Sequence, residues 1–190
     1  MKFLRSKIPD IIVIEPDIYF DNRGYFLETF NKKYLEEFLN CTINFCQDNE
    51  SKSAKNVLRG LHYQIYPFAQ SKLVRVVQGK ILDVAVDIRY GSPTFGNYIA
   101  IELNSKNMKQ LFIPKGFAHG FLALSDEVIV AYKVDNYYSK HHERGIAFDD
   151  SILNIDWACN KDQLMISEKD RMNPTLDHVE DLFKFGCNYE

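Results

Sequence analysis

The run Arg59-Gly60-Leu61-His62-Tyr63-Gln64 sets a histidine inside a β-prone stretch, three residues after an arginine. Imidazole has the side-chain pKa nearest neutrality, so with a carboxylate partner it can serve as a base at cellular pH. A buried imidazole beside a fixed cation is what a proton-abstracting site needs. A strand histidine standing alone is more often a hydrogen-bonded core residue, so a base needs company. Strand parity adds a difficulty: Arg59 and His62 are an odd number of positions apart and face opposite sides of a regular strand, unless Gly60 permits a bulge.

Other candidates lie downstream. Pro114-Lys115-Gly116 reads as a turn that presents His119 at a strand entrance. Two strand-borne histidines invite a metal reading, but no His-x-His pair or adjoining carboxylate completes a ligand set, so no metal is expected. Tyr132-Lys133 ends a β-rich run and Tyr137-Tyr138 follows. Buried tyrosines are usually core residues whose hydroxyl is satisfied at the rim. Ser167-Glu168-Lys169-Asp170-Arg171 reads by default as a solvated charged turn.

These residues need elements to position them. Short runs rich in β-branched and aromatic residues, bounded by Gly, Pro, Asn or Asp, predict an all-β sandwich or barrel. The runs are Ile11–Ile14, Tyr25–Phe30, Ile43–Gln47, Val57–Gln64, Leu73–Gln78, Ile81–Ile88, Tyr98–Leu103, Gln110–Ile113, Gly120–Leu124 and Val128–Val134. Gly79 joins two of them as an antiparallel hairpin. In Ile81–Ile88, one face carries Leu82, Val84, Val86 and Ile88; Asp83, Ala85 and Asp87 share the other, which lines a polar cavity or faces water. Helices are minor: Asn31 caps one through Leu39, Asn104 starts a turn, and Pro174 opens one to Phe183.

With 190 residues and 46% hydrophobic content the chain can bury a core within one domain, and nothing calls for a second. Its 23 basic and 26 acidic residues give a net charge of -3, with no basic stripe, so nucleic acid is not an expected partner. There is no signal-peptide core or membrane-length apolar run, so a cytoplasmic protein without membrane attachment is expected. Cys41, Cys46, Cys159 and Cys187 have no zinc spacing and read as reduced thiols.

Taken together, the motifs closely resemble the dTDP-4-dehydrorhamnose 3,5-epimerase family. The resemblance is carried by Asp21–Phe26, Gln47–Ser51, Arg59–Gln64, Gln70–Val74, Asp83–Arg89, Gly91–Gly96, Ile113–Phe121 and Ser167–Asp170, in the family's order over about residues 9 to 176. It implies a cupin-type β jelly roll, a homodimer, no metal or other cofactor, and epimerisation of dTDP-4-dehydro-6-deoxy-α-D-glucose to dTDP-4-dehydro-β-L-rhamnose on the way to dTDP-L-rhamnose. By motif, His62 matches the family's base, Asp170 its carboxylate partner, Lys72 the cation near the 4-keto oxygen and Tyr132 the opposite-face proton donor. Positions matching nucleotide-sugar contacts are Arg23, Glu28, Gln47, Asp48, Asn49, Arg59, Lys72, His119, Tyr138, Glu143 and Lys169. The family's amino-terminal arm crosses to the partner subunit, which would put Arg23 and Glu28 in the neighbour's site. Phe148 and Ala158 depart from the family's common tryptophan and proline, and the tail from Asp177 to Glu190 lies outside the pattern. Two rival readings stay open: a single-carbon epimerase or keto-isomerase on the same scaffold, and a non-catalytic nucleotide-sugar binder.

Overall fold

In the computed structural model, which describes residues 1–187, the β-prone runs become strands shared mainly between two facing sheets. Along the chain these are β1 (Lys2–Arg5), β2 (Ile12–Glu15), β3 (Ile18–Asp21), β4 (Gly24–Leu27), β5 (Gln47–Ala54), β6 (Leu58–Gln64), β7 (Lys72–Gln78) and β8 (Lys80–Asp87). There follow β9 (Arg89–Tyr90), β10 (Tyr98–Asn104), β11 (Gln110–Ile113), β12 (Phe117–Ala123), β13 (Glu127–Val134), β14 (Glu143–Gly145) and β15 (Phe183–Lys184). Helix α1 (Lys32–Leu39) is capped by Asn31, whose side chain accepts from the Tyr34 N–H, and α2 (Glu168–Arg171) is capped by Ser167.

The six-stranded sheet runs β1-β2-β11-β7-β13-β5 and the five-stranded sheet β10-β8-β12-β6-β14. Val74, Val76, Val128 and Val130 of the first pack against Ala85, Phe117, Phe121 and Ala123 of the second. This is a cupin-type jelly roll, with its core between the sheets. The outer face of the five-stranded sheet is also apolar, because Leu58, Leu61, Tyr63, Val84, Val86 and Ile88 are covered by Ile146, Leu153, Trp157, Leu176 and Phe183. The carboxy-terminal segment therefore has a structural task the sequence did not disclose. Phe183 and Lys184 pair in parallel with Arg89 and Tyr90, while Arg144 binds Asp181.

Several expectations need correction. The hairpin across Gly79 does not form: β7 lies in one sheet and β8 in the other, with Gly79 at φ +80 turning the chain between them. A Cβ at Gly79 would lie 2.3 Å from the Glu127 carbonyl oxygen, so only glycine fits that corner. Ile43–Gln47 is not a strand; Ile43 is buried beneath α1, and the strand begins at Gln47. Pro174–Phe183 holds only the short 3₁₀ turn Leu176–His178. His119 is not at a strand entrance but is the third residue of β12. Asp87 faces neither water nor the cavity: its carboxylate accepts from Arg89, Ser92 and Thr94, folding the Ser92–Gly96 turn.

Candidate active site

Gly60 resolves the parity problem. The β6–β12 register shifts between the pairs Arg59↔Phe121 and His62↔His119, so three steps on β6 oppose two on β12. Leu58 and Leu61 both pack outward, while Arg59 and His62 both line the inter-sheet cavity. Gly60 has φ +121, and a Cβ there would lie 2.5 Å from Gly120 Cα and 2.7 Å from the His119 carbonyl oxygen. The bulge thus requires both the conformational freedom and the small size of glycine.

The cavity, of about 550 Å³, is lined by Arg59, His62, Lys72, His119, Tyr132, Lys169 and Asp170, with Ser51, Phe121, Val130 and Met165 among the remaining walls. A smaller pocket of about 280 Å³ shares His62, Lys72 and Tyr132, and adds Gln47, Asn49, Gln64, Tyr138 and Glu143. His62, His119 and Arg59 come from the five-stranded sheet; Lys72, Tyr132, Gln47 and Asn49 come from the six-stranded one. Imidazole and phenol therefore enter from opposite walls.

His62 Nε2 lies 2.6 Å from Asp170 Oδ1, and the Gly60 N–H donates to Asp170 Oδ2 at 3.3 Å. Burial pushes the Asp170 carboxyl up, but the His62 hydrogen bond and charge, with the Gly60 and Ser167 bonds, hold it below its ordinary value. An ionised carboxylate only accepts, so Nε2 carries the proton and Nδ1 keeps the basic lone pair. His119 Nε2 sits 3.0 Å from both oxygens of Asp83, which is fully buried. Burial lowers the His119 pKa despite that carboxylate, leaving a neutral ring. Sequence reasoning placed Asp83 at a cavity or in water, without seeing that it anchors His119.

Lys72 Nζ reaches the His62 carbonyl oxygen at 3.5 Å. Burial pushes its ammonium down to about 8, opposed by the charges of Asp83 and Glu143. Burial raises Tyr132; Arg59 opposes the shift and Glu143 adds to it. Glu143 accepts from the Tyr138 hydroxyl at 2.7 Å and pairs with Lys169 at 2.5 Å. Its carboxyl, raised by burial, is brought below its ordinary value by those two bonds. Arg59 is aimed by Ser53 Oγ at 3.0 Å and the Lys52 carbonyl at 3.2 Å.

Not every candidate converges. Asp48 lies on the outer face of β5, where Lys133 pairs with it at 2.8 Å, as its parity between Gln47 and Asn49 dictates. Arg23 is 86% exposed and bonds Asp21 in its own turn, while Glu28 is exposed and accepts from Asn31. Sequence reasoning missed Ser51, Ser53 and Gln64. The signal for the two serines was the alternation Gln47, Asn49, Ser51, Ser53, which puts a polar ladder on the inward face of one strand. Among the described residues no three His, Cys, Asp or Glu side chains converge as a metal cage, and no helix is long and apolar enough to cross a membrane.

Known proteins share this fold. The family profile described as dTDP-4-dehydrorhamnose 3,5-epimerase matches residues 5–178. A Shigella flexneri protein named dTDP-4-dehydrorhamnose 3,5-epimerase is 51% identical over 170 residues, covering 90% of this chain and 93% of its own. The crystal structure of a Legionella pneumophila dTDP-6-deoxy-D-glucose-3,5-epimerase in complex with dTDP-4-keto-L-rhamnose is 45% identical, with TM-score 0.94, over 98% of this chain and 99% of that one. A 3′-monoepimerase from Streptomyces bikiniensis, in complex with dTDP-quinovose, is 29% identical with TM-score 0.88 over 95% and 92% of the two chains. With that profile spanning residues 5–178 and these relatives matching over nine-tenths or more of its length, the chain belongs to the dTDP-4-dehydrorhamnose 3,5-epimerase family.

Proposed function

We propose that this enzyme epimerises dTDP-4-dehydro-6-deoxy-α-D-glucose at C3 and C5 with His62 as base, Asp170 as its orienting carboxylate, Lys72 as oxyanion partner and Tyr132 as proton donor. C3 and C5 both flank the C4 ketone, so loss of either proton yields an enolate whose charge gathers on the same oxygen. One cation therefore serves both steps. A preorganised donor to such an oxygen is typically worth about 3–4 kcal/mol. His62 Nδ1 takes the proton, Asp170 stabilises the resulting imidazolium, and Tyr132 delivers a proton to the other ring face, inverting the carbon. Arg59 eases formation of the Tyr132 phenolate. The observation that carries this reading is the placement of His62 and Tyr132 on opposing sheets across one cavity, with Lys72 in the same lining and under the influence of the Asp83 and Glu143 charges.

Arg59, His119, Glu143, Lys169, Tyr138, Gln47 and Asn49 bind the nucleotide sugar in this reading, and no cofactor is required. The enzyme acts as a cytoplasmic homodimer, independent of nucleic acid and membrane, in which the β3–β4 arm supplies Arg23 and Glu28 to the neighbouring site. Its basis is the exposure of Tyr19, Phe20, Tyr25 and Phe26 on that arm.

The likeness to a monoepimerase makes a single-carbon reaction the second reading. NMR of product formed in deuterated water separates the two: label at C3 and C5 is expected, and label at one carbon alone overturns the double assignment. His62→Ala is expected to abolish exchange. Tyr132→Phe is expected to block product while retaining exchange at C3, because abstraction precedes the missing reprotonation.

A further inference from the structure

We propose that Gln64 is a positioning residue for nucleotide-sugar binding, because its buried amide holds the backbone on both sides of Tyr138 and so sets the rim of the cavity. The inference rests on the reading of Tyr138 as a nucleotide-sugar contact.

Gln64 ends β6, two residues beyond His62, with 4% of its surface exposed. Its Nε2 donates to the Phe68 carbonyl at 2.7 Å and to the Tyr137 carbonyl at 3.1 Å, and its Oε1 accepts from the Ser139 N–H at 2.6 Å. Thus the carbonyl preceding Tyr138 and the N–H following it end on one side chain. Glu143, which accepts from the Tyr138 hydroxyl, is the backbone partner of Gln64 in the β6–β14 ladder. Gln47 completes the frame by accepting from the Tyr138 N–H at 3.4 Å.

The amide is chemically specific. Two donors and one acceptor are used, a combination that neither an ionised glutamate nor an apolar side chain of similar length supplies. A buried polar group costs stability unless its bonds are made, so a position needing only packing would favour an apolar residue. What the amide adds is a fixed backbone beneath an exposed ring: Tyr138 is 56% exposed, yet the peptide groups that aim it are held from the interior. Holding that ring in place before the ligand arrives removes an ordering cost from binding.

The test is Gln64→Met, close in length and lacking all three bonds, with the dTDP dissociation constant measured by calorimetry beside KM and kcat. Loss of the clamp is expected to raise Kd for dTDP and KM by about tenfold or more while kcat stays within about threefold, since His62 and Lys72 are held by other contacts. Gln64→Met/Tyr138→Ala is expected to bind dTDP no more weakly than Tyr138→Ala alone, because the clamp acts through that ring. Unchanged Kd, additive effects in the double variant, or a fall in kcat at constant KM would each overturn the proposal. Gln64→Glu, which keeps size and the acceptor, supplies the same comparison should Gln64→Met fail to fold. Wild-type protein that does not bind dTDP would remove the underlying nucleotide-sugar reading, whereas tight wild-type binding with an unaltered Gln64→Met removes this inference alone.

Discussion

Lys72 carries the sharpest conflict between stability and chemistry. Burial depresses its pKa to about 8, even with Asp83 and Glu143 close enough to favour the charge. Because the folded pKa lies below the unfolded one, the charged form costs stability at neutral pH. That cost is relieved as pH rises and the folded-state ammonium sheds its proton. Lys72→Met is therefore expected to stabilise the protein at pH 7 by about 1–3 kcal/mol while abolishing epimerisation, with the gain shrinking above about pH 8. Urea melts at several pH values read this directly, and a destabilised Lys72→Met would refute it. In the proposed mechanism the same titration governs activity: kcat/KM of the wild type should fall as pH rises through about 8, as the proposed oxyanion partner is lost. Lys72→Arg keeps its cation throughout and should lose that alkaline limb even where its rate is lower. An identical limb in Lys72→Arg would assign it to another group.

At the scale of elements, the site depends on one irregularity, the β6 bulge. Gly60→Ala would press a methyl group into the backbone of Gly120 and His119 at a φ that disfavours any side chain. The facing strand cannot yield without breaking its own ladder, so a loss of about 3 kcal/mol or more is expected from equilibrium unfolding. Stability within about 0.5 kcal/mol of wild type would show that the bulge can relax. The sequence made this feature partly legible: Arg59 and His62 could share a face only if the strand bulged between them, and Gly60 was a residue that permits it. The apolar strands were legible from composition, since β7, β8, β10 and β13 carry β-branched residues at strand spacing. β5 was not. Gln-Asp-Asn-Glu-Ser-Lys-Ser-Ala has no strand preference, and it is extended because eight consecutive residues pair with β13. The β7–β8 corner was misread because a glycine between two β runs signals a turn without saying whether the chain returns to its own sheet or crosses to the facing one. The contact of His62 with Asp170 spans 108 positions, and no local pattern encodes it; only the family resemblance joined them beforehand.

For the whole molecule, the β3–β4 hairpin is the part that a single chain explains least. It forms its own two-stranded sheet, and Tyr19, Phe20, Tyr25 and Phe26 are 61%, 74%, 59% and 66% exposed. A bare two-stranded ribbon is marginal in water, and a cluster of uncovered aromatics calls for a partner surface. With Arg23 in its turn and far from engaged in its own cavity, the proposed homodimer assigns that guanidinium to the neighbouring substrate. Mixing subunits decides the matter. Arg23→Ala and His62→Ala homodimers should each be nearly inactive. If Arg23 acts in trans, each mixed dimer contains one site with both an intact His62 and an intact neighbouring Arg23, and one site lacking both. Random exchange at equal amounts then restores about a quarter of wild-type activity, since half the dimers are mixed and half their sites are whole. If Arg23 acts within its own chain, every site in the mixed dimer lacks one group and mixing restores nothing. Co-refolding the two variants and assaying epimerisation distinguishes these outcomes.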